Sequence, residues 1–584
     1  MKLLNKNFFL VLLTSASAAF LASCSSGYKK DNSQVIIHEL SDPDMLNPIN
    51  YSDAGAGYII NNLFQPLVAP SFKTLQPVPV LAESRPQIEK TPDGKLLITY
   101  RIRPEARWDN GSPITAKDVA FTLKVIKNPR VNDQPNKSYY EFISDFKFYP
   151  NDPLKFTLVC DHVYILAEPS SGDYGVLPRY VYDPKGLMDK YTVKQLTSDA
   201  AAISNDPNII DFANDFNSER RMRDTSAISG SGPYKFVEWT TGQRVVLKRK
   251  KNWWGDKLKD LNCYFQAYPS KLTYQTINDQ TSAIVALKAG NLDVMYSIKP
   301  KDFIDLPKSP KIVKDFNTYT PMMLAYTYIG INIARPKFAD VQTRQALAHL
   351  CDIPRMIRDV MYGLATQVIG PIHPSDTLDY DHDIKPYDFN IDEAKELLAK
   401  AGWKDDGTGT LAKMINGEKV PFEINFLVNA GNDSRKQVAL MFQEEARKVG
   451  IKVNVISQDW SVYLDNTKNH NFDMYCGAWI SSPVPNDFKQ IFSTESTRNG
   501  GSNNTNFGDA KSDALIDSIR VELDPNKRAA MYKEFQVILH NQVPYIFLWS
   551  PTERMAIQKR FTNASPSVLR PGFWESGFKL ENVQ

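Results

Sequence analysis

Cysteine is scarce, with five in 584 residues. Cys160, Cys263, Cys351 and Cys476 are widely separated and no C-x-x-C occurs, so nothing in the spacing points to a disulfide framework or a cysteine metal site. A core of this size needs no covalent staples, and buried free thiols are expected. The seven histidines, His38, His162, His349, His373, His382, His470 and His540, include no H-E-x-x-H, which excludes the usual zinc peptidase helix. Neither a G-x-S-x-G elbow nor a G-x-x-x-x-G-K-[ST] loop appears. Asp379, Asp381 and Asp383 alternate like calcium ligands, but the Gly and closing Glu of an EF-hand loop are missing, and a solvated turn is expected. No metal, cofactor or catalytic residue is assigned. Charge of one sign is not in excess either: 69 Lys plus Arg face 66 Asp plus Glu, interspersed, for a net +3. No basic stripe announces a nucleic-acid partner. Fixed-period repeats are absent, and beyond the N-terminus no apolar run approaches membrane-spanning length.

What is present is an ordinary globular composition, 42% hydrophobic and 23% charged, long enough for about three or four domains. Lys2 and Lys6 precede an apolar stretch from Phe8 to Phe20, followed by Leu21-Ala22-Ser23-Cys24, which is the order of a secretory signal. The ending resembles the lipobox of bacterial lipoproteins, which implies cleavage after residue 23 and lipidation of Cys24. Acyl chains contribute about 0.8 kcal/mol per buried CH₂, so several chains on one residue tether durably where one holds only marginally. Residues 24–34 read as a polar leash.

Strand-like and helix-like stretches then alternate, which argues for an α/β protein. Leu96, Ile98, Tyr100 and Ile102 form the apolar face of a strand behind the turn Asp93-Gly94. Thr115 and Asp118 form a capping box ahead of the stripe Ala116, Val119, Ala120, Leu123 and Ile126, stopped by Asn128-Pro129. Asn390 with Glu393 caps a helix closed by Gly402, and Ser434 with Gln437 reads as the start of another that ends at Gly450. These residues explain helices and turns and imply no chemistry.

Their combination resembles the extracellular solute-binding proteins of the oligopeptide and dipeptide class, the capture components of bacterial ABC importers. That family carries a "W-x-DG-x-P-x-TA-x-DV" type of segment, matched by Trp108, Gly111, Pro113, Thr115, Ala116, Asp118 and Val119. Ser229-Gly230-Ser231-Gly232-Pro233-Tyr234 resembles its "GTGPY" segment, and Gly330-Ile331-Asn332 with Arg344, Gln345, Ala346 and Leu347 resembles the start of its large C-terminal lobe. The stretch Asn390 to Gly402 resembles its "D-x-x-x-A-x-x-LL-x-x-AG" helix. The four matches stand in sequence order, and the resemblance covers about residues 35 to 565.

The resemblance implies a two-lobed, type II periplasmic-binding-protein-like fold with an extra domain inserted in the first lobe. Lobe I would comprise 35–66, 228–318 and 550–584, the extra domain 67–227, and lobe II 319–549. It further implies a non-enzymatic receptor that closes on a peptide by hinge bending and hands it to permease subunits. Lipid anchoring would hold it, as a monomer, on the extracytoplasmic face of a membrane. Other solutes, such as a metal complex, haem or a sugar, and a sensor role are implied for some members. An exported hydrolase with two carboxylates far apart in sequence is the alternative from another class. In peptide-binding members a Trp followed three residues later by Asp sits in the second lobe, and that carboxylate pairs with the peptide's α-amino group. Here Trp479 matches, Ser482 stands where Asp is expected, and a small gap would bring Asp487 into the position. The resemblance therefore places the ligand site at Trp479, Ser481, Ser482, Asn486 and Asp487.

Overall fold

The computed structural model describes residues 33–132, 137–481, 483–498 and 501–580. The signal segment, Cys24, nearly all of the leash and Ser482 lie outside the described residues. Two large sheets organise the chain. A seven-stranded sheet runs in the order Phe316–Tyr319, Met555–Gln558, Val294–Met295, Gln34–Glu39, Lys271–Thr276, Arg244–Arg249 and Tyr234–Thr240. A six-stranded sheet runs Ala365–Gln367, Tyr545–Pro551, Ala325–Ile331, Met474–Ile480, Glu423–Asn429 and Lys452–Gln458. Each mixes parallel and antiparallel pairs, and each has its own buried core.

The chain crosses between the sheets at 320–324 and again at 552–554, and the two crossings run side by side. Met322 and Thr552 form an antiparallel bridge, Met323 N donates to Pro551 O at 3.0 Å, and Glu553 N donates to Pro321 O at 2.8 Å. Two short antiparallel connectors can bend together by small φ/ψ changes, a construction that suits a hinge.

Between Gln34–Glu39 and Tyr234–Thr240 the chain leaves the first sheet and builds a four-stranded antiparallel sheet, ordered Gln87–Lys90, Leu96–Arg101, Lys155–Cys160 and Ile143–Phe148. Residues 96, 98 and 100 are buried and residues 97, 99 and 101 half-buried, as the alternation predicts. Helix Ala116–Lys127 packs behind it, with Thr115 N donating to Asp118 Oδ2 at 2.9 Å. This inserted unit shares one continuous core with the seven-stranded sheet.

Gly230 and Gly232 are required by a close backbone approach. A Cβ on either would meet the carbonyl oxygen of Leu63 or Asn62 at 2.3 and 2.5 Å. Three sequence expectations need correction. The helix assigned to Ser434 and Gln437 spans Asp433–Lys448, and its cap is Asn432, whose side chain accepts from Arg435 N at 3.0 Å. Asn432 lies two positions upstream and offers the equivalent oxygen, so the helix gains two residues at its start. Cys160, Cys351 and Cys476 are buried free thiols, but Cys263 is only half-buried. Asp379 and Asp381 are not on a solvated turn, because helix Pro525–Gln542 covers them: Gln536 Nε2 donates to Asp379 O at 2.9 Å, and Gln536 Oε1 accepts from Asp381 N at 3.3 Å.

Candidate functional site

The site is built at the end of the central strand Met474–Ile480. Ala325–Ile331 pairs with it antiparallel, so that Tyr326 lies opposite Trp479. Beneath these residues Tyr328, Tyr475 and Tyr545 form a rigid aromatic base, with the Tyr328 and Tyr475 hydroxyls 2.9 Å apart and the Tyr328 and Tyr545 rings stacked at 3.8 Å. The Tyr545 hydroxyl reaches towards the Trp479 indole. The Tyr326 hydroxyl, on a side chain 3% exposed, has no hydrogen-bond partner.

Past the strand, Ser481 N donates to Leu324 O at 2.7 Å and Tyr532 donates to Asn486 O at 2.7 Å, pinning both ends of the Pro-rich loop. The loop separates two chambers. The first, about 810 Å³, is lined by Trp479, Ser481, Asn486, Asp487, Tyr326 and Arg520 among others. The second, about 900 Å³, lies beyond Pro485 and is lined by Ser481, Asn486, His373, Asp379 and Arg528 together with Arg85 and Glu168. Tyr164, Pro371, Ser481, Val484, Pro485 and Asn486 belong to both walls.

Tyr164 comes from the inserted unit, and it closes the site from the opposite side. Its hydroxyl donates to Asp487 Oδ2 at 2.9 Å, Ile165 N donates to Arg520 O at 2.9 Å, and the Arg520 guanidinium lies 5.2 Å over the Tyr164 ring. Ile165 and Leu166 are buried in the same cluster as Tyr326, Tyr328 and Phe488. Arg520 Nε donates to Asp487 Oδ2 at 2.9 Å, and Lys489 N donates to Oδ1 at 3.0 Å. Burial and the neighbouring Asp487 charge hold the Tyr164 phenol above its usual range, so it stays a donor at neutral pH.

Four of the five sequence-expected residues, Trp479, Ser481, Asn486 and Asp487, therefore meet on one wall. Asp487 is matched by an internal cation, so it presents a neutralised pair and not a lone carboxylate. Sequence reading did not single out Tyr164, Arg520, Tyr326, His373 or Asp379 as ligand contacts. Tyr164 and Asp487 are 323 positions apart, and only a motif spanning both could have joined them.

Among the described residues no three His, Cys, Asp or Glu side chains could hold a metal ion, and no helix is long and apolar enough to cross a membrane. Residues 76–501 match the sequence profile of bacterial extracellular solute-binding proteins, family 5 Middle. The chain belongs to this family. This family 5 protein is 26% identical over 562 residues to the oligopeptide-binding protein AppA of Bacillus subtilis, covering 92% of each chain. The structure of AppA from Bacillus subtilis in complex with a nonapeptide superposes with a TM-score of 0.69 at 24% identity, covering 94% of this family 5 chain and 99% of AppA. NikA from Brucella suis in complex with Fe(III)-EDTA superposes with a TM-score of 0.74 at 20% identity, covering 94% and 100%. The family is one of extracellular solute-binding proteins, and the fold is the two-lobed type II arrangement that the resemblance implies.

Proposed function

We propose that this protein captures peptides between its lobes by hinge closure and delivers them intact to the permease of an ABC importer. One observation carries the reading: the two chambers share a wall at Tyr164 and Pro485 and hold about 900 and about 810 Å³. Drug-sized ligands fill sites of roughly 300–1,000 Å³, so two such spaces in tandem suit an extended oligomer better than one compact solute. The exposed end of strand Met474–Ile480 offers backbone pairing, which binds peptides with little dependence on side chains. The name of the Bacillus relative, with 92% of each chain aligned, supports the same class. No chemistry on the solute is part of this reading.

The lobes are 35–66 with 228–318 and 550–584, and 319–549, with 67–227 as the inserted domain. The crossings at 320–324 and 552–554 support this division. Cleavage before Cys24 and its lipidation would hold a monomer on the outer face of a membrane, with residues 25–34 as the tether. A ligand drives closure only by binding the closed state better than the open one.

The test is to incubate the purified protein with a defined peptide mixture, remove unbound material, and identify what is retained by mass spectrometry. Retained peptides of unchanged mass and a raised melting temperature are expected, since binding only the folded state stabilises by RT ln(1 + [L]/Kd). Cleaved peptides would replace this reading with the hydrolase, and retention of a metal complex or haem in place of peptide would replace the ligand class.

A further inference from the structure

The second chamber has an acidic pole that sequence reading sets aside. Asp379 lines it and is 7% exposed, yet its Oδ1 is buried without a hydrogen-bond partner. Asp376 lines the same wall and accepts the N–H of Asp379 at 3.2 Å. Arg528 and Lys533 act on Asp379 only through charge at a distance; Arg528 lines the same chamber, with Nη1 donating to Glu522 O at 2.8 Å and Nε buried without a partner. His373 adds no positive charge: its ring nitrogens lie 2.7 Å from Ser375 Oγ and 3.0 Å from Ser550 Oγ, and burial lowers its pKa. On the opposite wall Arg85 and Glu168 pair at 2.6 Å and cancel. A buried carboxylate without a partner costs stability. Burial and the nearby Asp376 together push the Asp379 carboxyl up to about 6. A ligand cation entering the chamber would supply what the fold leaves out.

We propose that Asp379, assisted by Asp376, forms a subsite of the second chamber that receives an alkylammonium or guanidinium group of the bound solute. Because among the described residues no three His, Cys, Asp or Glu side chains could hold a metal ion, an organic cation fits the chemistry better than a bare metal ion. The inference rests on the chamber being part of the solute site. It adds a preference that the shared fold does not imply.

The experiment titrates trilysine and trialanine into the wild-type protein and into Asp379→Asn at pH 7.5 by calorimetry. Wild type should bind trilysine about ten-fold more tightly, the equivalent of about 1.4 kcal/mol. In Asp379→Asn the ratio of the two affinities should fall to about one. Equal affinities in wild type, or a preference that survives in the variant, would overturn the subsite. If neither peptide binds, spermidine and agmatine are titrated instead. Binding that Asp379→Asn abolishes would uphold the subsite while the peptide reading falls, and no binding of either amine would overturn both. Melting curves report whether the variant folds; Asp376→Asn, expected to weaken the same preference, serves if it does not.

Discussion

The hydroxyl of Tyr164 donates to the carboxylate of Asp487 at 2.9 Å, joining the inserted unit to the lobe that carries strand Met474–Ile480. Asp487 also receives Arg520, so one carboxylate serves an ion pair within its lobe and a hydrogen bond across the cleft. The side chains of Arg520 and Asp487 are 27% and 16% exposed, which places the pair between the strong buried case and the weak surface case. If the lobes open as proposed, this contact belongs to the closed state and opening breaks it.

Tyr164→Phe should therefore favour the open state by about 1 kcal/mol, the usual net worth of one hydrogen bond. Small-angle scattering without ligand should show a larger radius of gyration than wild type. An unchanged curve would show that the contact does not bias the hinge.

Asp487→Ala leaves Arg520 without its counter-charge and should lower stability by about 1–2 kcal/mol, discounted from the fully buried case. The double variant with Arg520→Ala should recover part of the loss. Additive losses in chemical denaturation would mean the pair contributes nothing.

Trp479→Ala should weaken solute binding at least several-fold while the strand beneath stays in register, because the side chain is half-buried and lines the chamber wall. Calorimetry with whichever ligand is retained checks it. Wild-type affinity would remove Trp479 from the site.

Glu39 titrates far from its usual range: burial, opposed by the hydrogen bond from Tyr296 at 2.7 Å, pushes its carboxyl up to about 8. The folded protein then keeps a proton that the unfolded chain releases near 4.5, so stability falls as pH rises between those values and the penalty is complete above the upper one. Glu39→Gln should flatten that slope and be more stable at pH 9, by on the order of a few kcal/mol at most. Parallel melting profiles for variant and wild type between pH 5 and 9 would contradict the assignment.

Cys24→Ala should abolish incorporation of labelled palmitate and leave an uncleaved precursor. Continued labelling would disprove the anchor.

Local structure was legible where a short-range rule decides it. The alternation at 96–102 and the caps at Thr115 and Asn390 each announce a strand or a helix start within a few positions. Asn432 displaced Ser434 as a cap because two competing oxygens stood close together, and local sequence does not rank them. Trp479, Ser481, Asn486 and Asp487, which the resemblance groups together, share one chamber wall because they lie in one short stretch of chain.

The opposite wall was not legible in the sequence. Tyr164 reaches Asp487 only because the inserted unit folds back over the second lobe, and Arg520 arrives from a helix, Ala510–Val521, with no pattern linking it to the loop. Asp379 reads as a polar turn residue until helix Pro525–Gln542 covers it. The chain by itself determined the periodicities and the caps, all set by neighbours within a turn or two. Tertiary structure alone decided which charges are compensated and which stay open, because hydrogen bonding and desolvation depend on what packs against a group in space, whatever its distance along the chain.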